Sequence, residues 1–286
     1  MFKAISNAIK WIGQHFLGML FLLIAFVVLI PSSTTELRPA NLQEIQLIGP
    51  IFDADGLVKE IEEAQNDPKI KGVLLSIDSP GGAVAPSIEI AYAIKTLKGH
   101  KPVIAYASGI MASGSYYSAI YATKIIANPG SIVGSIGVIM ESANIEALMK
   151  TIGIETQIVK EGRYKEAGTP TRKWTDEERA ELERLTKDTY ALFVQDVANA
   201  RGLNLEDSQQ YADAHIFSSK RAKEVGLIDE VNVKSAAKAQ VAQLAKVSTP
   251  VWSEKDKLES FMEQFVTQGI MKLHNAFGGL KSTFGY

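Results

Sequence analysis

The segment Ala105–Tyr121 constrains the fold of this chain most strongly. It reads AYASGIMASGSYYSAIY, in which small residues surround two hydroxyls, Ser113 and Ser115. The start of the segment predicts a buried strand, and its end predicts the first turns of a buried helix. A serine at such a turn holds its oxygen clear of the backbone, near the unpaired N–H groups of the helix. Hydrolases place a nucleophile in this way, although the G-x-S-x-G pattern is not matched; tight packing is the other interpretation.

The rest of the chain alternates between strand and helix patterns. The apolar strand Gly72–Ile77 is typical of a parallel sheet, and Thr175 with Glu178 forms a capping-box pattern before a long helix. Further strands are predicted at Leu42–Ile48, Val103–Ala107, Lys124–Ala127 and Glu155–Val159, and helices at Asp55–Gln65, Pro86–Leu97, Asn144–Lys150, Asp176–Ala200, Asp207–Ala212 and Ser218–Val225. The run Ile132–Met140 is apolar and spaced by glycines. This alternation predicts an α/β fold of repeated β-α units.

The charge balance and the rare residue types exclude several classes of function. With 30 basic and 32 acidic residues the net charge is −2, so there is no basic field to attract nucleic acid. The chain has no cysteine, which excludes disulfides and cysteine-ligated metals, and we predict no metal or cofactor. Of the four histidines, only His215 could reach a core site, and a structural role is favoured for it. A serine nucleophile would therefore need another base, usually lysine.

An uncharged apolar segment, Phe16–Ile30, lies near the N-terminus. Counted from Trp11, it reaches about the twenty residues that a membrane-spanning helix needs. A cleaved signal peptide also fits, but the following residues contain no clear A-x-A cleavage site, so we favour an uncleaved anchor. Lys3 and Lys10 precede the span, which places the N-terminus in the cytoplasm and Pro31–Tyr286 outside.

These patterns predict four regions along the chain. Residues 1–31 form the cytoplasmic N-terminus and transmembrane anchor, and residues 32–41 form a polar linker. Residues 42–247 form the α/β domain, in which catalysis would take place, and residues 248–286 form a helical tail. Apolar residues recur at helical spacing in the tail, which could pack on a partner, lie on a membrane or fray.

Two further motifs support a catalytic interpretation of Ser113. Ser79-Pro80-Gly81-Gly82 follows a buried strand, and its glycines leave backbone N–H groups free to approach a ligand. The N–H groups of Gly82 and Gly114 could together form an oxyanion hole. Lys165 lies in the loop GRYK between a strand and the long helix. Taken singly, such a turn is usually structural and such a lysine is usually a solvated surface charge.

Five segments together resemble the signal peptide peptidase A family, the Ser–Lys peptidases related to Clp protease and the crotonases. They are DSPGG (Asp78–Gly82), MASGSYY (Met111–Tyr117), GSIGVIM (Gly134–Met140), EGRYKEAGTPTR (Glu161–Arg172) and GLIDE (Gly226–Glu230). The resemblance covers roughly Glu44 to Val231, and the chain is similar in length to the short, single-domain branch. It implies a Clp/crotonase-like α/β fold of repeated β-α units behind an N-terminal transmembrane helix.

The resemblance assigns a role to each motif. It implies that Ser113 is the nucleophile, Lys165 the general base, and the N–H groups of Gly82 and Gly114 the oxyanion donors. The family more often has A-S-G-G where this chain has Ala112-Ser113-Gly114-Ser115. Ser115 is therefore a second candidate nucleophile, but Ser113 is preferred because alanine and glycine flank it as the pattern requires.

A general-base lysine places demands on its surroundings. Its pKa must fall from about 10.4 to roughly 7–8, which requires burial away from carboxylates. Glu161 and Glu166, which flank Lys165 in sequence, must therefore point away from its amine. Ser135 is our candidate for orienting the amine, with a packing role as the alternative.

The predicted substrate is an extended peptide that adds to the protein as a strand. One side would pair with Gly81, Ala83 and Val84, and the other with Ile136 and Val138, whose small and apolar character favours small or aliphatic substrate side chains. The resemblance implies degradation of remnant signal peptides and other small extracytoplasmic peptides at the bacterial cytoplasmic (inner) membrane. It also implies a homo-oligomeric ring whose neighbouring subunits share active sites.

Three other functions remain open at this point. A crotonase-type acyl-CoA enzyme shares the fold and an oxyanion hole, but it would need neither the anchor nor the loop lysine. A non-catalytic membrane scaffold would not need Ser113 and Lys165. A membrane protease that cleaves stomatin-like proteins would use the same serine and lysine on a different substrate.

Overall fold

A computed structural model describes residues 39–253 and, before them, Trp11, His15, Gly18 and Phe21. Almost all of the predicted span Phe16–Ile30 and most of the predicted linker and tail lie outside these residues. None of the helices in the described residues has both the length and the apolar character to cross a bilayer. The chain divides into two compact units, residues 1–39 and residues 40–286, and only the second unit is described below.

Seven strands form one sheet within the described residues. They are β1 (Leu42–Ile48), β2 (Gly72–Ser79), β3 (Val103–Ala112), β4 (Lys124–Ala127), β5 (Ile132–Gly134), β6 (Ile216–Ser218) and β7 (Glu230–Val231). Strands β1-β2-β3-β4-β7 lie in this order and are parallel throughout. All five therefore direct their carboxyl ends to the same edge of the sheet, where α/β proteins commonly bind ligands.

Strand β3 is longer than the predicted Val103–Ala107 and changes its partner halfway along. Its first half pairs with β4, whereas Ile110–Ala112 pair with β5, which in turn pairs with β6 in the antiparallel sense. The register with β2 shifts between Ile77 and Ser79, and the Asp78 carboxylate accepts a 2.9 Å hydrogen bond from the Ile110 N–H there. The extension carries β3 directly to Ser113.

The helices lie between the strands, as the sequence predicts. They are α1 (Asp55–Asn66), α2 (Val84–Lys98), α3 (Gly114–Ala119), α4 (Glu146–Thr151), α5 (Asp176–Arg201), α6 (Ser208–Tyr211), α7 (Ser219–Glu224) and α8 (Lys234–Leu244), with a 3₁₀ turn at Leu205–Asp207. The predicted capping box of α5 is confirmed. The Thr175 hydroxyl accepts from the Glu178 N–H at 3.2 Å, and the Glu178 carboxylate accepts from the Thr175 N–H at 2.9 Å.

Apolar side chains cover both faces of the sheet. On one face, β2 residues such as Val73, Leu75 and Ile77 pack in the larger core with residues of α1, α2 and α3. On the other face, a smaller cluster that includes Leu74 and Tyr106 packs with residues of α8. Burial on both faces explains why the central strands are continuously apolar rather than alternating.

The apolar run Ile132–Met140 and the predicted strand Glu155–Val159 are only partly regular or irregular in the structure. The first of them is a strand only as far as Gly134, because positive φ angles of 111° at Gly134 and 51° at Ser135 turn the backbone away. Residues 155–159, predicted as a strand, have no regular structure, and Val159 is fully exposed. A lone extended segment has no neighbouring backbone to bond to, and strand propensity alone does not hold it in a sheet.

The last described residues return to the first strand. The Asn41 and Leu42 N–H groups donate to the Val251 carbonyl at 2.8 and 3.1 Å, and the Ser253 N–H donates to the Leu42 carbonyl at 2.8 Å. Residues 251–253 thus cover the outer edge of β1 at its first residue, Leu42, so the first residues of the predicted tail lie on the sheet. This pairing shortens the edge that could pair with other chains.

Candidate active site

Ser113 occupies a strained turn between β3 and α3. Its φ and ψ are 53° and −124°, a backbone conformation that costs a residue with a side chain on the order of 1–3 kcal/mol. The Ser113 N–H donates to the Gly134 carbonyl at 2.8 Å, and its own carbonyl accepts from the Tyr117 N–H at 3.0 Å. These bonds fix the turn from both sides. The hydroxyl makes no hydrogen bond within residues 39–253 and lies at a cavity.

Ser115, the second candidate nucleophile, is fully buried. Its hydroxyl donates to the Ser79 carbonyl at 2.6 Å and accepts from the Ala112 N–H at 2.9 Å. These bonds join the ends of β2 and β3 beneath the turn. The Ser115 oxygen is therefore occupied structurally, and Ser113 is the hydroxyl that a substrate can reach.

Two backbone N–H groups beside Ser113 are left unpaired. Ile51 forms a parallel bridge with Gly82, in which the Ile51 N–H donates to the Gly81 carbonyl and the Ala83 N–H donates to the Ile51 carbonyl. This pattern turns the N–H of Gly82 itself away from Ile51. Gly114 is the first residue of α3, where an N–H has no acceptor within the helix. Both groups can therefore donate to a ligand.

Close packing brings these two glycines together. A Cβ atom on Gly82 would collide with the Ile51 carbonyl oxygen, and one on Gly114 would collide with the Ser87 hydroxyl. The same position on Gly114 lies 3.2 Å from the Gly82 nitrogen. Only glycine fits at either position, and the fit places both predicted oxyanion donors beside the Ser113 turn.

A cavity of about 90 Å³ opens beside Ser113. Its apolar walls come from four segments of the chain: Val84, Ile88, Tyr117, Val138, Leu192 and Phe193. At roughly 10–15 Å³ per water-sized probe, this volume suits an aliphatic side chain of moderate size. The apolar lining makes the cavity a candidate for the pocket that holds a substrate side chain.

The other predicted substrate-binding residues lie around the cavity without lining it. Gly81 is buried behind the turn, and the Ala83 N–H already donates to Ile51. Ile136 is fully buried in the core, and its carbonyl accepts from the Ala214 N–H at 2.9 Å. Of the five predicted contacts, Val84 and Val138 are the two whose side chains reach the cavity.

Helix α5 supplies one wall of the cavity, which the sequence motifs do not indicate. Thr189, Leu192 and Phe193 line it, and the Tyr117 ring packs against Phe193 with ring centroids 4.8 Å apart. The Tyr117 hydroxyl donates to the Asp196 carboxylate, and burial together with that carboxylate raises the pKa of Tyr117. The Tyr117 side chain is therefore a fixed, uncharged part of the cavity wall. The only sequence signal was the helical spacing of residues 189, 192, 193 and 196.

Lys165 lies on an exposed turn and is not among the residues that line the cavity. Its backbone N–H donates to the Gly162 carbonyl at 3.2 Å, but its side-chain amine has no hydrogen-bond or ion-pair partner in the described part of the chain. Its neighbour Glu166 points to other cations, since one carboxylate oxygen accepts from Lys160 at 2.6 Å and from Arg172 at 3.0 Å. The predicted requirement on Glu166 is met, but one chain does not place Lys165 at the Ser113 cavity.

Ser135 and His215 meet at the backbone rather than at a catalytic group. The Ser135 N–H donates to the His215 carbonyl at 2.7 Å, and the Ser135 side chain is half-buried. The His215 ring packs 5.9 Å from the Phe217 ring and does not line the cavity. Within residues 40–253, no histidine lines the cavity beside Ser113.

Comparison with known sequences places this site in a family. A sequence model described as peptidase family S49 matches residues 95–248. A protein of Methanocaldococcus jannaschii named as a protease is 40% identical over 198 residues, which cover 69% of this chain and 64% of that protein. A protein of Enterococcus faecium named as signal peptide peptidase SppA is 30% identical, over 65% of this chain and 54% of its own length. This chain thus spans somewhat over half of these relatives.

Comparison with solved structures supports the fold. A mutant of the 1510-N membrane-bound stomatin-specific protease matches with a TM-score of 0.50. The match covers 72% of this chain and 86% of that one, with 16% sequence identity. At this identity the likeness concerns the α/β architecture alone.

Proposed function

Because the chain belongs to peptidase family S49, we propose that it is a membrane-anchored endopeptidase in which Ser113 is the nucleophile and Lys165 the general base. The family and a serine protease activity, both expected from the sequence motifs, are confirmed by the comparisons. The observation that carries the residue assignment is the strained Ser113 turn, whose free hydroxyl lies at an apolar cavity beside two unpaired N–H groups.

The proposed reaction follows from this arrangement. A neutral Lys165 removes the proton from the Ser113 hydroxyl as its oxygen attacks the peptide carbonyl. The N–H groups of Gly82 and Gly114 donate to the oxyanion of the tetrahedral intermediate. Lys165 then returns the proton to the leaving amine, and water releases the acyl group from Ser113. No step requires a cofactor.

We propose that a second copy of the chain supplies Lys165 to each Ser113. The exposed, unpartnered state of Lys165 in one chain supports this proposal, as does the ring that the sequence resemblance implies. The segment before Lys165 is also unusually apolar for a surface. Its exposed residues are Leu148, Ile152, Ile154, Ile158 and Val159. A subunit interface would bury this patch.

The proposed substrates are remnant signal peptides and other small peptides at the outer side of the bacterial cytoplasmic membrane. The apolar cavity favours aliphatic side chains, which are abundant in signal peptides. Ile51 already pairs with one side of Gly82, so a substrate strand would bond to the opposite side. The predicted span Phe16–Ile30 would hold the enzyme at the membrane where these peptides are released.

A fluorophosphonate probe tests the proposed nucleophile in the full-length protein. We expect one covalent adduct, which peptide mapping locates at Ser113 and which is absent in Ser113→Ala. A crotonase-type acyl-CoA enzyme or a non-catalytic scaffold would not be labelled, so absence of an adduct at Ser113 would reject the proposal. In a deletion strain, accumulation of signal-peptide fragments would support the proposed substrates. Accumulation of an intact stomatin-like protein instead would favour the alternative substrate.

The cavity wall on α5 predicts a change in substrate specificity. Leu192 lines the cavity and is 47% exposed, so Leu192→Ala widens the pocket at little cost in stability. Consider two peptides that differ only in the residue whose side chain enters the cavity, phenylalanine in one and valine in the other. The ratio of their kcat/KM values, phenylalanine over valine, should rise about tenfold. Leu185→Ala removes a similarly exposed leucine of the same helix that does not line the cavity. An equal change in both variants would show that this cavity does not hold the substrate side chain.

A further inference from the structure

The loop that carries Lys165 contains a carboxylate next to it in sequence, Glu166. A free carboxylate within about 4–6 Å of an amine favours the protonated amine, which cannot act as a base. In the structure, Glu166 bonds instead to the amine of Lys160 and the guanidinium of Arg172, both at the same carboxylate oxygen. The side chain of Glu166 is 15% exposed, so this oxygen is largely removed from solvent as well.

Arg172 also binds the loop to helix α5. Its two terminal nitrogens donate to both carboxylate oxygens of Glu178, at 2.9 and 2.7 Å. The same Glu178 closes the capping box with Thr175, and it is 3% exposed. Arg172 lowers the pKa of Glu178 to about 2, with a further contribution from the Thr175 N–H, so the pair stays ionised at neutral pH. Arg172 therefore has a fixed position from which to hold Glu166.

We infer that Lys160 and Arg172 are positioning residues for the general base: they hold the Glu166 carboxylate and so leave Lys165 without a counter-ion. This inference rests on the proposed function. The proton that Lys165 accepts is the Ser113 hydroxyl proton, and Lys160, Glu166 and Arg172 transfer none. We call Lys160, Glu166, Arg172 and Glu178 the clamp.

The charges around the loop fit this role. The clamp holds two cations and two anions, and its net charge is therefore zero. Arg163 pairs with Glu177 and Arg184 with Glu181, so these acids of α5 are also held by arginines. Glu161 and Lys173 are the remaining charged side chains of the loop, and both are exposed to solvent screening. Glu166 is the partly buried acid next to Lys165, and its bonds to Lys160 and Arg172 fix the position of its carboxylate.

A pH profile of kcat/KM on the full-length protein tests the inference. Activity should rise with pH as the base loses its proton. In Lys160→Met/Arg172→Met, Glu166 is released and the midpoint of this rise should move up by about one pH unit. The rate at pH 7 should then fall up to about tenfold, with an unchanged plateau at high pH. Adding Glu166→Gln should return the midpoint to its original position.

A control variant distinguishes an effect of the Glu166 charge on Lys165 from a general disturbance of the loop structure. Glu178→Gln replaces the ion pair that links Arg172 to α5 with a neutral contact, but Lys160 still bonds to Glu166, so the midpoint should move much less than in the double variant. If it moves as far as in the double variant, or if Glu166→Gln gives no rescue, the clamp is only structural and the inference is overturned. Should the double variant fail to assemble, Lys160→Met alone should give a smaller upward shift, and an unshifted profile would overturn the inference.

Lys165→Ala in the same assay separates the two proposals. An inactive Lys165→Ala protein with unshifted clamp variants would reject the clamp and keep the proposed base. An active Lys165→Ala protein would reject the base itself, and the clamp with it.

Discussion

Replacing Ser113 with alanine is expected to lower kcat/KM by roughly 10⁴-fold or more while the protein still folds. The serine is at the surface of a cavity, and its backbone bonds to Gly134 and Tyr117 do not involve the hydroxyl. Alanine therefore removes the attacking oxygen and leaves the turn in place. Peptide hydrolysis measures the loss, and thermal unfolding measures the fold.

Ser115→Ala is the matched control, two residues away. It removes hydroxyl bonds to Ser79 and Ala112 in a fully buried site, so we expect it to cost about 1–2 kcal/mol of unfolding free energy. Its activity at temperatures where it is folded should stay within several-fold of the unmodified protein. If Ser115→Ala is folded but inactive while Ser113→Ala is active, the nucleophile is Ser115 and the assignment of Ser113 is wrong.

Mixing two inactive proteins should restore activity if neighbouring subunits share each site. Lys165→Ala subunits still carry Ser113, and Ser113→Ala subunits still carry Lys165. In a ring formed at random from equal amounts, about one interface in four joins the two intact groups in the productive order. Hydrolysis by the mixture, measured after subunit exchange in detergent, should therefore reach about a quarter of the unmodified rate.

The doubly substituted protein, Ser113→Ala/Lys165→Ala, supplies the control for this experiment. Mixed with either single variant, it offers no interface with both groups and should stay inactive. Exchange itself can be followed by energy transfer between labelled subunits. If exchange is complete and the mixture of single variants remains inactive, both groups act within one chain and the shared site is wrong.

Local patterns in the sequence predict the parts of the fold that local physics determines. Gly72–Ile77 is apolar apart from Ser76 because both faces of β2 are covered, and the Thr175 and Glu178 pair marks the start of α5 because it bonds the free N–H groups there. The segment 155–159 contains the strand-favouring residues Thr156, Ile158 and Val159 but pairs with no other backbone in the described part of the chain. Such a segment becomes a strand only where another strand lies beside it, and its own composition does not specify that neighbour.

The candidate site divides in the same way. The turn motifs indicate Gly82, Ser113 and Gly114, because close packing favours glycine at two of these positions and the small residues around Ser113 are visible in the sequence itself. The wall that Leu192 forms is ordinary helix surface in the sequence, and only the packing of α5 brings it to the cavity. The bonds of Arg172 to Glu166 and Glu178 likewise depend on how a long loop folds back on a helix.

The pairing of residues 251–253 with the start of β1 determines where the domain is attached to the rest of the chain. Both flanking segments leave at the amino end of β1, whereas Ser113 lies at the carboxyl edge of the same sheet. Strand β3, which ends beside Ser113, runs for ten residues between these two edges, a span of about 30 Å. Ser113, the proposed nucleophile, therefore lies at the opposite edge of the sheet from both ends of the described segment, so a substrate can reach it without passing the points where the chain enters and leaves the domain.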